Sequence, residues 1–318
     1  MAGYDLRPLS VGEILDRTFT LYRNHFWLFV SITAFPAAIN LPMNLFIFKG
    51  LGVSVPFLTR PALPNPAAIA VLYLVVFPLF YIAYSVGLGA TTNAVSEVYL
   101  GHAATMRSSY RRVFRKFWRL MGLIFVVGCI LSAAMFAIFF VVIIIVAGAA
   151  AAGRMSGAAS PVIVMVLAFG AMIVAMAVMI FVAMLFAVTI PVLLVENQHV
   201  GGALQRSIHL TKGKRWQIFL GVLLTLLLSY VAAIVFQGPF YLLAVFAAHK
   251  GGALPLWLLF MISLSAAMGS AVSSPLFMIV LVLFYYDARI RKEAFDLQHM
   301  MASMAPPGLS PAQGISPA

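Results

Sequence analysis

Two carboxylate–imidazole pairs are the residues in this 318-residue chain whose types first suggest chemistry: Glu97 with His102, and Glu196 with His199. A metal ion needs three or four such donors at a recognised spacing, and neither pair supplies them. A third acidic position, Asp287, has no histidine close by. Neither a metal nor any other cofactor is therefore expected. Two of these carboxylates could act as acid and base if they shared a pocket at one face of the protein. The alternative is that Glu97, Glu196 and Asp287 pair with arginines of neighbouring helices or cap helix starts. No nucleotide-binding loop, serine-nucleophile elbow or metalloprotease motif occurs, and Gly201-Gly202 opens no phosphate-binding pattern.

The other candidate chemistry is electrostatic. Arg107, Arg111, Arg112, Arg115, Lys116 and Arg119 form the densest basic patch of a chain with net charge +12. No soluble nucleic-acid recognition module accompanies them, so nucleic acid is not an expected partner. Basic residues beside apolar segments set membrane topology and attract anionic lipid headgroups. Aromatic residues with a polar edge belong at the same depth. The candidate headgroup or interface set is Arg23, Trp27, Arg107, Arg111, Arg112, Arg115, Lys116, Trp118, Lys214, Arg215 and Trp216. Membrane lipids, anionic ones among them, are the expected partners, with room for an unidentified membrane protein.

The elements that position these residues follow from composition. Apolar residues make up 64% of the chain and charged residues 9%, with a mean hydropathy of +1.06. Soluble domains carry about a quarter charged residues. Charge-poor runs at about 26–48, 67–96, 117–152, 161–195, 216–248 and 254–286 give six transmembrane helices, without the alternation a membrane barrel needs. Pro36, Pro42, Pro78, Pro191, Pro239 and Pro275 are candidate kinks. Asp5, Glu13 and Asp16 precede the first apolar run, so it reads as a retained span rather than a cleaved signal. Cys129 reads as a packed core residue. The proline-rich segment 49–66 reads as a loop, and 303–318 as a disordered tail.

Every Lys and Arg except Lys49, Arg60, Arg154 and Lys250 falls on one side of these spans, as do all eight acidic residues. The positive-inside rule places that side, with both termini, in the cytoplasm. No ionisable residue lies mid-span, which argues against ion coupling through buried carboxylates. The polar residues within spans are Asn40, Asn44, Thr91, Thr92, Asn93, Ser229, Gln237 and the run 263–274. They could line a path between helices, or, like Ser265, Gly269 and Ser273 at four-residue spacing, let helices pack closely.

Aligning Trp27, Trp118 and Trp216 superimposes "GEILDRTFTLYRNHFW", "AATMRSSYRRVFRKFW" and "GGALQRSIHLTKGKRW". Leu15, Phe19, Tyr22 and Phe26 share one helical face, as do Met106, Tyr110, Val113 and Phe117. The third copy carries Gly213 and predicts a helix shorter or broken in its second half. Thr18, Ser109 and Ser207 also coincide. Glu97, Glu196 and Asp287 close the three units in turn. The reading is an all-α, polytopic protein: a single membrane domain over 1–302. Its units, about 10–100, 101–200 and 201–297, are each an amphipathic interfacial helix followed by a hairpin of two spans.

The leader "LRPLSVGEILDRTFTLYRNHF" (6–26) and the closing "YYDARIRKEAFDL" (285–297) resemble the two ends of bacterial proteins of the glycerophosphoryl diester phosphodiesterase membrane-domain family. That resemblance implies a stand-alone domain of the bacterial cytoplasmic membrane. It supplies no catalytic residue, and only a short tail follows Asp296, so the family's phosphodiesterase barrel is not expected here. The expected function is a non-catalytic membrane protein organising lipid or protein partners at the inner leaflet. The alternatives are a transporter or channel between the hairpins and, behind it, an enzyme at the cytoplasmic face.

Overall fold

In hydrocarbon every backbone N–H and C=O must find a partner within the chain, and a continuous apolar run meets that condition as a helix. A computed structural model describes residues 7–50, 66–156, 161–249 and 254–293, and among them every regular element is helical. Six helical stretches are long and apolar enough to cross a membrane: Phe26–Ile47, Ile69–Tyr99, Phe117–Ile145, Met165–Val195, Arg215–Ala248 and Leu256–Glu293. The protein is a multi-pass integral membrane protein. Segment 51–65 and the tail 303–318 lie outside the described residues.

The chain opens with α1 (Val11–Asn24), which runs into α2 (Phe26–Gly50). Helix α3 (Pro66–Val71) passes through a π-helical turn, Leu72–Val76, into α4 (Phe77–Tyr99). Next come α5 (Met106–Arg115), α6 (Phe117–Ser156), α7 (Pro161–Leu185) and α8 (Thr189–Val195). The last three are α9 (Val200–Thr211), α10 (Arg215–His249) and α11 (Leu256–Glu293).

Local chemistry sets these boundaries. Ser10 and Glu13 form a reciprocal capping box at the start of α1, with the Ser10 N–H donating to Glu13 Oε2 at 2.7 Å. Thr105 and Ser108 do the same for α5. The N-cap of α9, His199, makes no side-chain cap bond. Helix α4 ends at Gly101 (φ 83°) and α8 at Asn197 (φ 57°), residue types that tolerate the left-handed backbone closing a helix. Helix α9 stops at Thr211, and Gly213 at φ 84° turns the chain into α10.

The prolines act in three ways. Pro36, Pro42, Pro239 and Pro275 lie inside helices, while Pro78 is the second residue of α4, just past the π-helical turn. The fourth span breaks outright between α7 and α8, at residues 186–188, and Pro191 lies in the first turn of α8. A proline leaves the carbonyl four residues earlier without its helical donor. Two such carbonyls are met from other helices. Ile32 O, freed by Pro36, accepts from the Tyr110 hydroxyl at 2.7 Å, and Ala271 O, freed by Pro275, accepts from Thr33 Oγ1 at 2.6 Å. The Tyr22 hydroxyl reaches the next carbonyl, Val272 O, at 2.6 Å. Each bond joins elements far apart in sequence beside a proline within a span.

Helix α11 is the hub, packing against α10, α2, α1, α4, α9 and α8. Around it, α2 contacts both α4 and α11, α6 contacts both α7 and α4, and α10 contacts both α11 and α7. The main core gathers Phe29, Ile32, Val95, Leu120, Leu193 and Val280–Tyr286 from five helices. Gly87 lets α4 close on α2, since a Cβ there would sit 2.7 Å from the Pro36 ring. One expectation is overturned: Cys129 is exposed on α6 rather than packed. An apolar side chain in a membrane protein needs no protein neighbour, because lipid suits it equally well.

Candidate functional site

The short helices α1, α5 and α9 and the ends of α4, α8 and α11 together form one charged face. Helix α5 carries its densest part. Arg107, Arg111 and Arg115 recur every fourth residue, are all exposed, and make no ion pair with a described carboxylate. Arg112 turns the other way and pairs with Glu97, whose second oxygen lies 3.9 Å from His102 Nδ1. Lys116 donates to Leu194 O at 2.7 Å, at the end of α8. Burial, then the charges of Arg119 and Arg112, hold its pKa below the ordinary lysine value. Arg119 reaches Asn197 Oδ1 at 3.4 Å. Arg23 is exposed at the end of α1.

Trp27, Trp118 and Trp216, in the first turns of α2, α6 and α10, are 80%, 83% and 68% exposed. Each stacks or sets its edge against a phenylalanine of its own helix, Phe26, Phe117 and Phe219 respectively. Such rings present an apolar body and one N–H, which suits the headgroup depth. Arg215 sits 5.0 Å above the Phe181 ring and its Nε has no hydrogen-bond partner. Lys214 Nζ lies 3.9 Å from Asp287.

The three carboxylates occupy separate surroundings. Glu97 faces Arg112, which is largely exposed. Glu196 receives Arg206 Nε at 3.0 Å and the Tyr285 hydroxyl at 3.1 Å, with Arg289 at 3.6 Å. Burial works against the Arg206 charge, but its hydrogen bond to Glu196 and the nearby charges of Glu196 and Glu293 outweigh that and raise its pKa. Asp287, only 2% exposed, accepts the Leu9 N–H at 2.8 Å and Arg291 Nε at 3.0 Å. Arg291 in turn donates to Leu9 O at 2.7 Å, so the segment before α1 is clamped to the end of α11. None of the three lines any cavity described below, and among the described residues no group of three His, Cys, Asp or Glu could hold a metal.

Leu9 carries no signal in the sequence, because it contributes only backbone atoms to this clamp. Arg291 was within reach, because its spacing from Asp287 is one helical turn. Tyr22 and Tyr110, donors to the span carbonyls, are half-buried, and burial pushes each phenol up to about 12.

Two cavities share lining residues, and a separate one of about 350 Å³ lies between α6 and α7. A small polar one, about 50 Å³, is lined by Asn40, Tyr84, Thr91, Ser270 and Ser274 beside the Pro36 kink. Asn44, Asn93 and Gln237 do not line it. A larger apolar one, about 310 Å³, lies between α4, α6, α10, α11 and the α7–α8 break, with Leu131, Ala187 and Phe277 in its wall. Leu88 and Met278 belong to the walls of both.

No curated protein and no solved structure matches the chain. Residues 162–302, spanning α7 to α11 and the closing "YYDARIRKEAFDL", match the family model described as the membrane domain of glycerophosphoryl diester phosphodiesterase, so the resemblance read from the two ends of the sequence is borne out over that stretch.

Proposed function

We propose that this chain is a non-catalytic protein of the bacterial cytoplasmic membrane, made of three related units. Its charged face, turned to the cytoplasm, gathers anionic lipid or a protein partner at the inner leaflet. The observation that carries this reading is the α5 stripe. Arg107, Arg111 and Arg115 are exposed and unmatched by any described carboxylate, next to the exposed Trp118. Each basic residue near an anionic surface contributes about 1 kcal/mol of attraction.

Support for the three units comes from equivalent positions sharing the same burial. Thr18, Ser109 and Ser207 are all buried, as are Phe29, Leu120 and Ile218. The closing carboxylates also reach the unit that follows: Glu97 to Arg112, Glu196 to Arg206, and Asp287 back to Leu9. The amphipathic character of α1 and α5 is supported by the buried Ile14, Thr18 and Leu21 on one and Ser109 and Val113 on the other.

The test compares wild type with R107E/R111E/R115E in bilayers of mixed neutral and anionic lipid, reading enrichment of spin-labelled anionic lipid around the protein. Arg112 is left alone because Glu97 engages it. The expected result is a several-fold loss of anionic enrichment with unchanged unfolding temperature; an unchanged enrichment sinks the reading. The transport alternative rests on Asn40, Thr91, Ser270 and Ser274 meeting at one polar cavity, whose volume of about 50 Å³ admits a few waters.

A further inference from the structure

The geometry points to the two cavities being one intramembrane binding site for a single-chain amphiphile with a small, uncharged, hydrogen-bonding head. This goes beyond the proposed function and does not depend on the α5 stripe. The polar niche supplies an amide and hydroxyls: Asn40, Tyr84 and Ser274 make no hydrogen bond with any described group, although they line the same space. An amide facing hydrocarbon with nothing to bond is costly, so the niche calls for a polar occupant. No charged residue lines it, which disfavours a phosphate or carboxylate head.

The apolar chamber takes the chain. Its volume of about 310 Å³ sits at the bottom of the range of about 300–1,000 Å³ for small-molecule sites, room for one aliphatic chain and too little for a two-chain phospholipid. Leu88 and Met278 line both chambers, and methionine repacks readily. A separate observation marks the chamber as built. The break between α7 and α8 forms part of its wall through Phe186 and Ala187. Pro191, having no N–H, removes the helical donor of Ala187 C=O. Irregular backbone at membrane depth is tolerated where protein buries it or where it lines a cavity.

The experiment uses the full chain in nanodiscs of neutral lipid and a monoacylglycerol carrying a photoactivatable group on its chain. Saturable labelling is expected at α6, α8 and α11 residues of the chamber. Ala187→Trp, which fills the chamber, lowers labelling about tenfold, a loss of about 1.4 kcal/mol. Leu131→Trp, from the opposite wall, serves if that variant does not fold. Asn40→Leu lowers affinity about fivefold while leaving the unfolding temperature unchanged, because Asn40 gives up no bond within the protein. A fatty-acid probe binds at least about tenfold more weakly than the monoacylglycerol. Labelling that does not saturate, or that persists in folded chamber-filling variants, overturns the site. Equal affinity of Asn40→Leu and wild type assigns the niche to water alone and overturns the head contact. Equal binding of the charged probe overturns the neutral head.

Discussion

Helices α6 and α11 are both long and apolar, yet 67% of the most apolar stretch of α11 is buried in the protein and none of that of α6. Helix α6 is the more apolar of the two, with a mean hydropathy of 2.9 against 2.1 over those stretches, and its side chains are larger. Through its middle α11 reads "SLSAAMGSAVSS", small residues that let backbones approach, and then a run from Val280 to Tyr286 that fills the core. The corresponding part of α6 reads "FAIFFVVIIIV", with Phe136, Phe139, Phe140 and Ile144 all exposed. One helix is specified by its protein neighbours and the other chiefly by lipid. The closing half of the chain, where α11 lies, is also the part that matches the family model.

Paired substitutions separate these two regimes. The largest effect is expected at the clamp on α11. Asp287→Ala strips a buried carboxylate from Arg291 and the Leu9 N–H, and breaking such a pair costs about 3–5 kcal/mol. Phe139→Ala on α6 changes a lipid-facing side chain and shifts stability by about 0.5 kcal/mol or less. Chemical unfolding in detergent compares the two, and equal effects would break the contrast between the helices.

A smaller effect tests close approach. Gly87→Val places atoms against the rigid Pro36 ring and costs about 1–3 kcal/mol as overpacking, whereas Gly170→Val on α7 meets nothing within 4 Å and is near neutral. Thermal unfolding of the two variants reads the difference directly. If Gly87→Val melts like wild type, the α2–α4 contact is looser than described.

The smallest effect lies outside both regimes, at the exposed start of α1. Hydrogen bonds from the Ser10 backbone and side chain, then from Arg7, hold Glu13 down to about 2 from 4.5. The folded value is the lower one, so the stabilisation is fully present above pH 4.5 and disappears as pH falls through about 2. Hydrogen exchange in the first turn of α1 should rise over that window in wild type and show no such step in Glu13→Gln. A step that survives the substitution assigns the transition to another group.

The membrane class and the six spans were legible because hydropathy is summed over some twenty residues and tolerates local detail. So was the resemblance at "YYDARIRKEAFDL", which falls inside the matched stretch. Cys129 was misread because an apolar residue in a span can face lipid or protein with equal comfort, and composition does not distinguish the two. The partners of the carboxylates were legible only in part. Arg112 and Arg206 stand close after Glu97 and Glu196 in the chain, whereas Asp287 takes its partner from Leu9, at the other end of it.

The sequence by itself determined that this chain is a helical membrane protein with its charge concentrated on one face, since burial of the backbone in hydrocarbon leaves no other economical conformation for such runs. Tertiary structure alone decided which spans became core and which became lipid-facing wall, and which carbonyls freed by proline were met. It also decided that a polar niche and an apolar chamber share Leu88 and Met278. The physical reason is that all spans are nearly equivalent to the solvent around them. Their arrangement is settled by close approach at small residues, by hydrogen bonds such as Tyr110 to Ile32 and Thr33 to Ala271, and by the clamp of Asp287 on Leu9.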